Sequence, residues 1–132
     1  IGEPVAEARQ ALEDSVADAC AADSWLREHP VSVEWWGGQF ASGALSADSD
    51  LVARVADAHR RATGGAHDPD VYGAPYGSDL RLLTGVGGIA TVQYGPGDAK
   101  LAHGPFESVP LSEVVTTART LAVLALDICG VA

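Results

Sequence analysis

The sequence predicts an α/β fold. Three observations support this prediction. Three long segments repeat apolar residues every three or four positions, two short segments resemble strands, and Gly- or Pro-rich stretches separate them. The predicted order is helix, strand, helix, helix, strand, helix, without an internal repeat.

The first long helix is predicted from Glu3 to about Ala22. Pro4 suits its first turn, where no backbone N–H is required. Its apolar face is predicted to comprise Val5, Ala8, Leu12, Val16, Ala19 and Cys20. Asp23 and Ser24 provide a cap for a short turn over Trp25–Arg27, which Pro30 ends.

The second long helix is predicted from Asp50 to about Thr63 and the last from about Leu111 to Cys129. In the second, the inward residues are predicted to be Leu51, Val52, Val55, Ala58 and Ala62. In the last, the inner stripe is predicted to be Leu111, Val114, Ala118, Leu121, Ala125 and Ile128. Val123 and Leu124 make its second half apolar nearly all round, so deep packing is expected.

Ser78 or Asp79 is predicted to cap a short helix that contains Leu80, Leu82 and Leu83.

Two strands complete the predicted order. Residues 31–36 alternate, with Val31, Val33 and Trp35 on one side. Residues 89–94 are apolar almost throughout, which is typical of a strand buried on both faces. The small, polar stretch 40–49 is the expected domain boundary.

Composition excludes several functions. The net charge is −10, so the surface would repel nucleic acid and anionic membranes. No apolar run reaches the roughly 20 residues that span a bilayer, and no signal segment opens the sequence. A cytoplasmic protein is expected.

Cys20 and Cys129, far apart in sequence, are expected to be small buried hydrophobes.

The sequence contains no Met and begins at Ile1. Removal of an initiator Met normally exposes a small residue, which Ile is not. We therefore expect that a cloning boundary or a cleavage produced this N-terminus.

The four histidines are His29, His59, His67 and His103. None has the short Cys/His spacing of a self-contained zinc site. His29 and His59 are expected at the surface, and His67 lies in a polar loop. His103 follows a predicted strand and a Gly-Pro-Gly turn, and ligands of open α/β sheets bind beyond the carboxyl ends of strands. It is either a site residue or a loop histidine that caps the nearby helix.

Three motifs occur in order in the second half of the chain. They are Gly77-Ser78-Asp79-Leu80-Arg81, the strand ending in Gly95-Pro96-Gly97, and Ala102-His103 followed by Glu107. Together they resemble the C-terminal end of the M20 metallopeptidases, a family of deacetylases, desuccinylases, aminoacylases and carboxypeptidases. The resemblance covers roughly residues 72–132. It implies that residues 1–46 are the C-terminal half of an α+β lid or dimerisation domain. Residues 47–132 would then be the C-terminal part of a zinc-peptidase-like catalytic domain.

The resemblance also implies roles for single residues. His103 would bind one of two zinc ions, or cobalt or manganese in their place, and Glu107 would support it without being a ligand. Arg81, with Asp79 and Gly77, would bind substrate, the guanidinium holding a carboxylate by a bidentate pair. An ion pair between Arg81 and Asp79 is the structural alternative.

The same resemblance implies a hydrolase that cleaves N-acyl amino acids or small peptides. In such enzymes a metal-bridged water attacks the amide carbonyl and a carboxylate moves the proton. The family's His-x-Asp element, bridging Asp and Glu-Glu pair are missing, so this chain holds no catalytic residue and should be inactive alone. The expected partners are the complementary upstream portion and a second copy of the complete enzyme, paired through the lid domain.

Other sequence features allow different interpretations. Gly85–Ala90 fits a dinucleotide-binding glycine pattern but precedes a strand, where that motif must follow one. Ser78, Asp79 and His103 could form a hydrolase triad, although no G-x-S-x-G turn surrounds the serine. Trp35 and Trp36 could be an exposed recognition patch, although lid-domain packing or a subunit contact is the more ordinary explanation. The alternative to an enzyme is a noncatalytic binding or regulatory module that kept the fold and lost the metal.

Overall fold

Helices and extended loops make up the protein in the computed structural model, which describes residues 1–130. Four α-helices follow in order: α1 (Val5–Ala22), α2 (Ser24–Glu28), α3 (Leu51–Ala62) and α4 (Leu111–Cys129). A π-helical turn spans Leu82–Val86 and a 3-10 turn spans Ala99–Leu101. The last two residues of the predicted catalytic-domain range lie outside the described residues.

The chain divides into two compact units. The first comprises Ile1–Ala44 and Tyr76–Gly88, and the second comprises Leu45–Pro75 and Ile89–Ala132. The assignment of residues 1–46 to a lid domain and 47–132 to a catalytic domain stays a prediction.

The predicted helices are confirmed, because their local signals are strong. Pro4 adopts extended backbone and α1 begins directly after it. The Asp23 carboxylate accepts hydrogen bonds from the backbone N–H groups of Trp25 and Leu26, at 2.8 and 2.9 Å, and so caps α2. Ser78 Oγ accepts from the Leu80 N–H at 3.3 Å, just before the π-helical turn Leu82–Val86.

The predicted α/β fold is wrong: residues 1–130 contain helices and no strand. A strand exists only where its backbone bonds a neighbouring strand, and among the described residues neither 31–36 nor 89–94 has such a backbone partner. Side chains hold each segment instead. The Val31 N–H donates to Cys20 Sγ at 3.4 Å, and the Tyr94 hydroxyl donates to Thr120 Oγ1 at 3.0 Å. Ile89 is 56% exposed, so the segment is not buried on both faces.

In the first unit, α1 packs against α2. Trp35 lies against this helix, with Arg9 Cζ 4.8 Å from its ring centroid and its Nε1–H donating to Glu13 at 2.7 Å. Trp36 is 92% exposed. Both cysteines are free; Cys20 is buried as expected, whereas Cys129 in the second unit is exposed.

In the second unit, α3 packs against α4. Val55 and Ala58 of α3 are buried, as their spacing predicts. Arg61 of α3 forms an ion pair with Asp127 of α4. Within residues 1–130, no helix is both long and apolar enough to pass through a membrane.

The predicted inner stripe of α4 and its deep packing are wrong. Leu111 is 81% exposed and Ile128 is 55% exposed, whereas Thr120 is completely buried. A threonine can occupy this position because its hydroxyl donates to the Thr116 carbonyl at 2.9 Å, one helical turn back. Thr116, Thr117, Val123 and Leu124 are half-buried, so the covered side of α4 is the one around Thr120 and not the predicted stripe.

Candidate functional site

His103 lies in the second unit, in the loop between the 3-10 turn and α4. Its side chain is exposed, and its φ of 61° places its backbone in the left-handed region. Its backbone N–H donates to Glu107 Oε2 at 3.0 Å. Left-handed backbone is unfavourable for a residue with a Cβ and persists only where the surroundings hold it. Glu107 thus fixes the backbone that presents the imidazole.

The base of this loop is also held. The Gly97 N–H donates to Glu113 Oε2 in the first turn of α4, at 2.8 Å. Gly97 has a φ of 92°, and a Cβ there would lie 2.7 Å from Val109 Cγ2. Only glycine fits this position without displacing Val109. The segment 97–113, which includes His103, is therefore closed by contacts near its two ends.

A half-buried histidine in the same unit was missed by the sequence analysis. His59 was expected at the surface, but its Nδ1 lies 2.8 Å from Tyr94 Oη. That hydroxyl donates to Thr120 Oγ1 at 3.0 Å, and Thr120 donates to Thr116. Because each hydroxyl has a single proton, His59 Nδ1 must donate to Tyr94. The sequence did contain a signal for this position. His59 follows Val55 by four positions and precedes Ala62 by three, so it lies on the apolar face of its helix.

Gly77, Asp79 and Arg81 lie together in the first unit. The backbone carbonyl of Asp79 accepts from the N–H groups of Leu82 and Leu83 and so starts the helical turn. Arg81 is half-buried, with Cζ 5.4 Å from the centroid of Phe40. Among the ion pairs of residues 1–130, none joins Arg81 to Asp79.

The Nε of Arg81 is buried and has no hydrogen-bond partner within the described part of the chain. A buried N–H without an acceptor is unfavourable, and such groups are rare in native proteins. Arginine also binds carboxylates in a bidentate manner. Arg81 is thus a cation with unused hydrogen-bonding capacity.

The predicted site residues therefore fall in both units. Gly77, Asp79 and Arg81 belong to the first, and His103 and Glu107 belong to the second. Nowhere in residues 1–130 do three or more His, Cys, Asp or Glu side chains cluster in a way that could hold a metal ion. A catalytic zinc needs about three protein ligands, so these residues do not form a complete metal site.

Comparison with known proteins gives the family. The model of peptidase family M20/M25/M40 matches residues 1–127. The N-formyl-4-amino-5-aminomethyl-2-methylpyrimidine deformylase of Halalkalibacterium halodurans is 27% identical over 126 residues, covering 89% of this chain and 29% of that protein. The chain thus spans less than a third of the length of this relative. No solved structure matches the chain. Since the family match covers almost every residue, the resemblance seen in the three motifs is confirmed: this chain belongs to peptidase family M20/M25/M40.

Proposed function

We propose that this chain is part of a metal-dependent hydrolase that cleaves the amide bond of N-acyl amino acids or small peptides. The family match over residues 1–127 carries this proposal. The relative from H. halodurans is named as a deformylase of an N-formyl compound, and removal of an N-formyl group breaks an amide C–N bond. The shared chemistry is hydrolysis of an N-acyl group.

In this proposal His103 provides one ligand to the metal site. Neutral imidazole suits zinc, and cobalt or manganese could use the same nitrogen. The complete site would hold two zinc ions, with the other ligands and the general base supplied by the upstream portion of the enzyme. The exposed imidazole on a held backbone supports this role.

Arg81 is proposed to bind the carboxylate of the substrate, beside Gly77 and Asp79. The guanidinium forms no ion pair within residues 1–130, and this supports the assignment because a substrate carboxylate would pair with its charge. A substrate with a free carboxylate is therefore favoured over a neutral amide.

The proposed partners are the upstream portion of the same enzyme and a second copy of the complete enzyme. A hydrolase with the single imidazole of His103 cannot hold its metal, so the isolated chain should bind no zinc and hydrolyse nothing. An upstream sequence without the His-x-Asp and Glu-Glu elements would instead support the noncatalytic module.

The test is His103→Ala in the complete protein. We expect the bound metal to fall below the wild-type stoichiometry and kcat/KM for N-acyl amino acids to fall by at least about 100-fold, because a lost ligand affects both. Metal is measured by atomic emission and hydrolysis by amine release.

The matched control is His67→Ala, which removes another exposed imidazole of the second unit and should change neither quantity. Wild-type metal content and activity in His103→Ala would exclude His103 from the site. A wild-type protein that binds metal but hydrolyses no N-acyl amino acid or peptide would refute the proposed activity.

A further inference from the structure

We propose that Phe40 is a positioning residue for Arg81: its ring holds the guanidinium in the orientation that receives the substrate carboxylate. In one respect the inference rests on the function proposed above, namely that Arg81 binds a substrate carboxylate. The holding of Arg81 by Phe40 rests on contacts inside the first unit alone.

The first contact is between the guanidinium and the ring. Arg81 Cζ lies 5.4 Å from the centroid of Phe40, within the roughly 6 Å over which a cation and an aromatic face attract each other. The face of the ring carries partial negative charge. It therefore favours the charged guanidinium without using any of its N–H donors.

The second contact holds the ring itself. A Cβ on Gly77 would lie 2.7 Å from Cγ of Phe40 and 2.9 Å from its Cδ1. No side chain fits there unless the ring moves, so the absence of a Cβ at Gly77 lets Phe40 lie directly on the backbone. Gly77, assigned above to substrate binding, thus also provides the surface on which the ring rests.

The third contact fixes the backbone of Arg81. A Cβ on Gly43 would lie 2.6 Å from the Arg81 backbone N and 2.8 Å from its Cα. Both atoms are backbone and cannot turn away as a flexible side chain would. Arg81 is consequently held at its backbone by Gly43 and at its guanidinium by Phe40.

These contacts leave one function of the guanidinium unused. The ring attracts the charge of the guanidinium and uses none of its N–H donors, which lie in the plane of the group. Within residues 1–130 the guanidinium forms no ion pair. An arginine held over a ring in this manner is pre-organised for an anionic acceptor, so loss of the ring should weaken binding of a carboxylate and leave binding of a neutral group unchanged.

The experiment uses the complete protein with Phe40→Leu, which keeps an apolar side chain and removes the π face. The probes are the N-acetyl amino acid that the wild type hydrolyses best and its uncharged C-terminal amide. We expect KM for the acid to rise roughly two- to fivefold, as an exposed cation–π contact implies, with kcat within twofold of wild type. KM for the amide should not change, and Phe40→Tyr, which keeps the ring, should behave as wild type.

Two further variants provide reference values for the change in KM. Arg81→Met should raise KM for the acid by more than Phe40→Leu does. Trp36→Leu removes an exposed aromatic ring from the same unit and should leave both KM values unchanged. If Phe40→Leu leaves KM for the acid unchanged, or raises KM for the acid and the amide equally, Phe40 does not position Arg81.

A second measurement needs no activity. The Arg81 Nε–H signal, assigned by its loss in Arg81→Met, is observed by ¹⁵N NMR. Phe40→Leu should shift this resonance and speed its exchange with water, while Phe40→Tyr should not change the exchange rate. An unchanged signal in Phe40→Leu overturns the positioning role, whereas a shifted signal in a protein without hydrolase activity rejects the proposed function and retains the role of Phe40.

Discussion

The two units of the chain are held together in different ways. In the second, α3 and α4 meet through the buried residues Val55, Ala58 and Thr120. In the first, Cys20 is the one buried residue among those described. Its other contacts join exposed or half-buried groups, such as Arg9 with Trp35 and Arg81 with Phe40.

The difference shows where each unit should be sensitive to substitution. A buried helix–helix contact is close-packed and tolerates little added volume. A unit without such a core depends on the places where backbone or rings approach a glycine. The second unit should therefore respond most to changes in side-chain volume, and the first to the addition of a single Cβ.

The largest effect is expected from Ala58→Leu in the second unit. Ala58 is fully buried where α3 packs against α4, and three extra carbons must displace one helix. We expect a loss of about 3 kcal/mol in the free energy of unfolding. Urea denaturation of the complete protein measures the loss, and hydrogen exchange should locate it in α3 and α4.

Ala53→Leu is the matched control, since Ala53 is an exposed residue of the same helix. It should change the free energy of unfolding by less than about 0.5 kcal/mol. Equal effects of the two substitutions would show that the α3–α4 contact is not the core of this unit.

A somewhat smaller effect is expected from Gly43→Ala in the first unit. The new Cβ would lie 2.6 Å from the backbone N of Arg81, so the backbone must shift. A loss of about 2 kcal/mol is expected, together with faster exchange of the Arg81 Nε–H.

Gly85→Ala provides the comparison, because a Cβ on Gly85 meets nothing within 4 Å. It should be neutral or slightly stabilising, through the smaller entropy of the unfolded chain. If Gly43→Ala is equally neutral in denaturation and exchange, the first unit does not depend on this close approach.

The smallest effect is expected from Tyr94→Phe, which tests the polar part of the second unit. The substitution removes the hydroxyl between His59 and Thr120 and leaves Thr120 without its donor. A loss of about 1 kcal/mol is expected, the net value of a typical hydrogen bond.

Tyr72→Phe removes the hydroxyl of an exposed tyrosine in the same unit and should have no measurable effect on the denaturation midpoint. A double-mutant cycle with Thr120→Val isolates the coupling energy. Additive effects of Tyr94→Phe and Thr120→Val would mean that the Tyr94–Thr120 hydrogen bond adds nothing to the stability of this unit.

Local sequence signals predicted the helices well. Pro4 marks the start of α1, Asp23 caps α2, and the spacing of Val55 and Ala58 identifies the inner face of α3. Each of these signals acts over one or two helical turns, so it operates whatever the rest of the chain does.

Features that depend on residues far apart in sequence were predicted less well. Residues 31–36 and 89–94 have the composition of strands, yet strand formation requires a neighbour that the residues described here do not provide. The apolar stripe of α4 was wrong for a related reason. Periodicity shows which residues are apolar, but the side of α4 that meets α3 carries Thr120 and Asp127, the partner of Arg61.

The sequence by itself determined the helices, their caps and, through three ordered motifs, membership of peptidase family M20/M25/M40. Only the tertiary structure decided that Thr120 is buried, that His59 donates to Tyr94, and that Arg81 lies over the ring of Phe40. The physical reason is range: caps and periodicities involve residues a few positions apart. A buried hydroxyl or a guanidinium held over a ring depends on residues separated by 26 to 41 positions, which meet only after folding.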